Sequence, residues 1–178
     1  MLSERVGVVV YDPPVDGGAV LNGALSLLTE RGVPVGGLRQ RIGEKEPGRR
    51  ASMWVDHLET GRSVRIDRPR GLGARACVLD PEALAEAARW LRETIERRPA
   101  VIAVNRFGHS EAEGDGMRGE LADAILSGAV VVLAVRRGLL ADLVGFLGEA
   151  PVVLASEPRA VVAWVEAQLA VMCPVEVG

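Results

Sequence analysis

Four short apolar runs punctuate the chain, at residues 6–10, 100–104, 129–135 and 151–155. They are rich in Val and do not alternate with polar residues, the pattern of strands buried on both faces. The stretches between and after them carry apolar positions three and four apart, as one face of a helix does. Residues 19–31 carry Leu21, Leu25 and Leu28; residues 81–98 carry Leu84, Ala87, Ala88, Leu91 and Ile95. Asp80-Pro81 is a strong helix start, a capping carboxylate followed by Pro at the first helical position. Further helices are predicted over 116–127, between Asp115 as cap and Gly128 as stop, and over 138–148 and 158–171. Strands alternating with helices predict an α/β fold, a three-layer sandwich around a mostly parallel sheet.

Residues 33–78 break the alternation. Residues 33–41 read as a strand with a Gly pair, Gly36-Gly37, and residues 43–50 as a charged loop. Residues 53–58 and 63–66 flank Glu59-Thr60-Gly61-Arg62, which reads as the turn of a β-hairpin. A β-rich insertion at about 43–78 is therefore expected, running antiparallel at one sheet edge. With no linker or repeat, residues 1–178 are read as a single domain, long enough for a substantial core.

Composition narrows the partners. Net charge is −3 and aromatics are 3%, which speaks against a polyanionic partner or a base-stacking platform, so no nucleic acid is expected. The longest apolar run, 129–135, is far too short to span a bilayer, so no membrane is expected either. Cys77 and Cys173 lie far apart, without the spacing of a metal site, and no metal is expected. A cytoplasmic protein with reduced thiols is the default. Cys77, just before a helix start, is read as a structural cysteine.

The first strand is followed by Asp12-Pro13-Pro14-Val15-Asp16-Gly17-Gly18 and then by a helix. Strand, Gly-bearing loop and helix make the setting in which backbone N–H groups cradle a phosphate. The chemistry of such a loop is missing: G-x-x-x-x-G-K-[ST] is absent, and the chain has one Lys, Lys45, against 20 Arg. The N–H groups of Asp16, Gly17, Gly18 and Ala19 would still face an anion, although the Asp12 and Asp16 carboxylates oppose one.

Residues 104–118 follow a buried strand, where ligands of doubly wound sheets bind. The segment is expected as a loop and holds Asn105, two Arg, His109, Glu111, Glu113 and Asp115. Asn105 stands where a phosphate-loop enzyme has the Asp that holds Mg²⁺. His109, Glu111 and Glu113 are the candidates for acid/base work, against a reading as surface residues. Arg39 and Arg41, alternate on the second strand, would hold an oxyanion bidentately or merely line an edge strand. Arg137 ends the strand at 129–135, again at the expected ligand edge.

At these residues the chain resembles a known group. Val104-Asn105-Arg106-Phe107-Gly108-His109-Ser110-Glu111-Ala112-Glu113-Gly114 is similar to the "VNKFGK-EAEG" motif of an uncharacterised bacterial family that carries a domain-of-unknown-function label. Gly36-Gly37-Leu38-Arg39-Gln40, Leu58-Glu59-Thr60-Gly61 and Cys77-Val78-Leu79-Asp80-Pro81 agree with it, so the resemblance covers about residues 5–150. It implies a P-loop NTPase-like fold similar to archaeal-type nucleoside-triphosphatases, with degenerate motifs and, for some members, an association with molybdenum genes. The chain departs from the family at Ser52, where members usually have Cys, and at Arg106, where they have Lys. The first departure weakens any two-cysteine site with Cys77.

Three readings of function follow. The leading one is a regulatory or accessory protein that binds a nucleotide or a small oxyanion such as molybdate through Asp16, Gly17, Gly18, Ala19, Arg39, Arg41, Asn105 and Arg137, without efficient hydrolysis. The second is a hydrolase or transferase using His109, Glu111 and Glu113 in the same cleft. The third is a protein-interaction module with a vestigial cleft. A protein partner fits the first and third, a homodimer is compatible with the fold, and no cofactor is indicated.

Overall fold

The computed structural model describes residues 2–45, 47–68 and 78–173, so Cys77 and the part of the expected insertion at 69–77 lie outside the described residues. The apolar runs form β1 (Val6–Tyr11), β7 (Val101–Phe107), β8 (Val130–Arg136) and β9 (Val152–Leu154). The Gly pair opens β2 (Gly36–Ile42), and the hairpin is β3 (Met53–His57) with β4 (Ser63–Arg65). These seven strands form one sheet in the order β4-β3-β2-β7-β8-β1-β9. The five strands from β2 to β9 are parallel, and β3 and β4 add antiparallel to β2. A two-residue ladder pairs β5 (Asp67–Arg68) with β6 (Val78–Leu79) beside it. This is the expected mostly parallel α/β sandwich with an antiparallel hairpin at one edge.

Helices cover both faces. Helix α1 (Gly17–Glu30) and α6 (Pro158–Met172) pack on one, where Leu21, Leu25, Leu28, Val161 and Val165 meet Val9, Ala103 and Val132. Helices α2 (Pro81–Glu96), α4 (Arg118–Leu126) and α5 (Leu140–Leu147) pack on the other, against Val8, Ile102, Val104 and Leu133. Neighbouring residues of one strand therefore feed opposite cores, which is why the runs read as continuous rather than alternating. Asp80 caps α2, accepting from the Glu82 N–H at 3.0 Å. Strand β2 begins at Gly36 rather than Val33, because the Val33 N–H closes α1 by donating to the Leu28 carbonyl.

One expectation is overturned. The segment after Val104 is not a loop at once: β7 runs through Phe107, and His109–Ala112 form a short helix, α3. The β7–β8 register shifts between Ala103 and Arg106, so one extra residue of β7 is accommodated in a bulge. The alternation changes phase there. Phe107 joins the core of Ile102 and Val104 and meets Phe146 of α5, while Asn105 stays on the α1 side.

The hairpin is locked to the sheet from beneath. His57 is fully buried, its Nε2 lying 2.9 Å from Glu59 Oε2 and its Nδ1 2.7 Å from Thr60 Oγ1. Burial lowers the His57 pKa below its ordinary 6.5 against the opposing pull of Glu59, so the ring is neutral. The network assigns the tautomer: Nε2–H donates to Glu59, and the Thr60 hydroxyl donates to Nδ1. Glu59 Oε2 also accepts from the Thr94 hydroxyl at 3.0 Å and the Gly37 N–H at 3.2 Å. Gly37 has φ 110°, and a Cβ there would stand 2.1 Å from the Ala103 carbonyl oxygen, so only Gly lets β2 approach β7 here. The Gly-Gly and Leu-Glu-Thr-Gly segments thus form one device. Glu59→Ala strands three buried donors and is expected to cost about 2–3 kcal/mol in a urea melt, with the secondary structure retained below the transition.

Candidate functional site

The connection from β1 leaves through α1 on one face, and the connection from the adjacent β8 leaves through α5 on the other. The carboxyl ends of β1 and β8 therefore flank the crevice where ligands of such sheets bind. Asp12 follows β1 and Arg137 follows β8, and they meet across it: Arg137 Nε donates to Asp12 Oδ2 at 2.6 Å. Both side chains are more than half exposed, so the pair contributes little to stability, no more than about 1 kcal/mol.

The N-terminus of α1 stands beside this pair. Asp16 is its N-cap, and Asp16 Oδ1 accepts from the Gly18 N–H at 2.9 Å. A carboxylate of the chain thus takes the donor that a phosphate would use. Gly17 is required by packing: a Cβ there would lie 2.3 Å from the buried Tyr11 ring. Gly18 faces Asn105, whose Oδ1 would be 3.4 Å from a Cβ on that residue. Asn105 is buried at the β7 bulge, with Nδ2 reaching Gln40 O at 3.4 Å and Asn22 Oδ1 at 3.5 Å. In Pro13 to Val20, Pro13 replaces the first Gly of the phosphate-loop pattern, Ala19 its Lys and Val20 its Ser or Thr. The fold thus brings Asp16, Gly17, Gly18, Ala19, Asn105 and Arg137 to one crevice. The donors it offers are the Arg137 guanidinium and the Gly18 N–H, each holding an aspartate.

Arg39 and Arg41 are not turned toward that crevice. Both face β3, where Arg39 Nη2 donates to Asp56 Oδ2 at 3.0 Å and Arg41 Nε to both oxygens at 2.9 and 3.0 Å. The Ser63 hydroxyl adds a bond to Asp56 Oδ1 at 2.5 Å, and Arg41 lies 5.0 Å above the Trp54 ring centre. Burial acts to raise the Asp56 carboxyl, but the hydrogen bonds from Ser63, Arg41 and Arg39 outweigh it and hold the pKa below its ordinary 3.8. Asp56 is a residue that sequence reasoning missed. Its signal is an acid inside a hairpin strand, and it gains meaning only from the register, which sets it directly opposite Arg39.

Glu111 is committed to the backbone. Its Oε2 accepts from the Gly108 N–H at 2.9 Å and its Oε1 from the Met117 N–H at 3.1 Å, closing the segment between β7 and α4. Arg118 completes the closure, donating to the Glu111 carbonyl and stacking 4.8 Å from the Phe146 ring centre. His109 and Glu113 are exposed on and just after α3. Among the described residues no three His, Cys, Asp or Glu side chains gather as metal ligands, and no helix is long and apolar enough to cross a membrane.

Comparison with known proteins agrees with the fold. Residues 6–164 match the family described as "Protein of unknown function (DUF2478)". The chain is 34% identical over 160 residues to a protein of Bradyrhizobium diazoefficiens named molybdenum import ATP-binding protein ModC 2. That match takes in 90% of this chain but only 18% of the relative's length. Two solved structures share the architecture at 17% identity. A human cancer-related nucleoside triphosphatase gives a TM-score of 0.61 over 96% of this chain and 98% of its own. THEP1 from the hyperthermophile Aquifex aeolicus gives 0.60 over 93% and 98%. The fold is therefore that of P-loop nucleoside triphosphatases.

Two outcomes are expected of substitutions here. Glu111→Ala frees two backbone donors, costs about 2 kcal/mol, and speeds amide exchange at Gly108 and Met117. Asp56→Asn costs about 2 kcal/mol at neutral pH. Because the folded carboxyl is the stronger acid, its contribution is complete above the ordinary value and is lost as pH falls below 3.8, so denaturant melts should show the two proteins converging in acid.

Proposed function

The chain belongs to the DUF2478 family, and on that footing we propose that it is an accessory or regulatory protein of molybdenum import that binds a nucleotide or a molybdate-like oxyanion without efficient hydrolysis. The observation that carries this reading is the meeting of the α1 N-terminus, Asn105 and Arg137 at the switch point of the sheet. A helix N-terminus and a guanidinium both favour an anion. Ala19 and Val20 supply neither a phosphate-binding ammonium nor a Mg²⁺ ligand, and Asn105 lacks the charge of the usual acid, which supports binding over turnover. The link to molybdenum rests on the relative, whose name places it in molybdenum import and in which this chain's match is a small part. We place the chain's work in the cytoplasm, beside the import machinery as its protein partner or as a second copy of itself.

Asp12 and Asp16 shape how the ligand enters. Each already occupies a donor, Arg137 and the Gly18 N–H, so an oxyanion binds by exchange with the chain's own carboxylates. The exposed Asp12–Arg137 pair is cheap to open. The same two contacts favour a second reading, an interaction module whose cleft is filled from within.

A thermal-shift series with ATP, GTP, their diphosphates, molybdate, tungstate, sulfate and phosphate, each with and without Mg²⁺, separates the two. Binding predicts a saturable rise in Tm with one of them, equivalent to about 2.7 kcal/mol at a hundredfold excess over Kd. Arg137→Ala should then weaken that ligand about tenfold, and Asp12→Asn should tighten it severalfold by removing the competitor. No shift with any of them rules out the binding reading and leaves the interaction module.

A further inference from the structure

We infer that the open face of the β2–β3–β4 hairpin holds a second anion site, built on Arg39 and Arg41 and not on the Asp12–Arg137 pair. A cavity of about 370 Å³ opens there, lined by Arg39, Arg41, Asp56, Ser63 and Thr29 among others. Thr29 lies in the last turn of α1, whereas the crevice lies before its first turn. Thr29 stands twelve residues after Gly17, about 18 Å farther along the helix axis, and the two places adjoin at Gln40, between Arg39 and Arg41, whose carbonyl accepts from Asn105 of the crevice. The volume is that of a small-molecule pocket at the lower end of the usual range, roughly 300–1,000 Å³.

The charges of the site are fixed. Asp56 is buried and ionised, and it is filled by three donors, Arg39, Arg41 and Ser63. Two guanidinium groups against one carboxylate leave one positive charge on the cavity wall. Asp56 also takes from each Arg the freedom that a surface Arg would have to give up on binding, so the two planes are set in advance. The neighbouring Arg65 donates to its own acid, Asp67, at 3.0 Å through both Nε and Nη2.

Asp56 takes Arg39 through Nη2 and Arg41 through Nε, and both side chains stay about two-fifths exposed where they line the cavity. The guanidinium donors that Asp56 does not take match the oxygens of a tetrahedral oxyanion. The ligand class is a tetrahedral oxyanion group, either a free ion or the terminal group of a small phosphorylated molecule.

The test is titration of the ¹⁵N-labelled chain in phosphate-free buffer, following the Arg Nε–H resonances. The probes are inorganic phosphate and molybdate for a free ion, and ribose 5-phosphate for a phosphomonoester. The Arg39 and Arg41 signals should move saturably with at least one probe, and the tighter class names the source. Arg39→Gln, which leaves Arg41 and Ser63 on Asp56, should weaken that binding at least tenfold, whereas Arg137→Gln in the crevice should leave it unchanged. If Arg39→Gln fails to fold by circular dichroism, Arg39→Lys is read instead; it keeps the charge, loses the fork, and should weaken binding about tenfold. Overturning results are no movement of either signal with any probe, binding unaffected by the Arg39 variant, or loss of the shift in Arg137→Gln.

Discussion

Five adjacent strands buried on both faces govern where this chain can keep its polar groups. With Val8, Val9, Ile102, Ala103, Val132 and Leu133 divided between two cores, no charged side chain can stand mid-strand in the centre of the sheet. Polar residues are pushed to the carboxyl ends and to the hairpin beyond β2, where α1 no longer covers the face. Both places of chemical interest follow from that exclusion. The crevice forms where the connections from β1 and β8 part to opposite faces, and the Arg39–Asp56–Arg41 cluster forms where the helical cover stops.

The crevice keeps the architecture of a phosphate site and has changed its electrostatics. An anion there would meet a helix N-terminus and a guanidinium, but each already holds an aspartate of the same loop. On the proposed reading, Ala19, Val20 and Asn105 stand where a nucleotide hydrolase has its terminal-phosphate and Mg²⁺ contacts, and a ligand enters by exchange, with an affinity set by how easily Asp12 gives up Arg137. Glu111 and Glu59 serve a different end. Each spends its carboxylate on backbone and buried donors, holding the loop after β7 and the hairpin in place.

Much of the fold was legible in the chain. Val-rich runs without alternation gave the parallel strands, and Asp80-Pro81 gave the start of α2. The hairpin turn at Glu59–Arg62 was equally plain. What was hidden is register. Nothing in the spacing says that Asp56 stands opposite Arg39, and so two arginines expected at a ligand rim are found sharing an acid on β3. The bulge in β7 was hidden too, since Asn105 and Arg106 read as the start of a loop until the ladder is seen to continue past them. Side-chain polarity misled there because the extra residue, and not a strand end, accommodates it. In the crevice, Asn105 and Arg137 were singled out from strand ends alone, while the reason for Gly17, the Tyr11 ring, needed three dimensions.

The central claim, that the crevice binds an oxyanion by exchange with Asp12, is tested most directly by a crystal structure of the chain soaked with tungstate and phased on its anomalous scattering. The account predicts an anomalous peak between the Gly18 N–H and the Arg137 guanidinium, with Asp12 turned away from Arg137. An intact Asp12–Arg137 pair with no peak in the crevice, at tungstate concentrations that saturate any thermal shift, would contradict it.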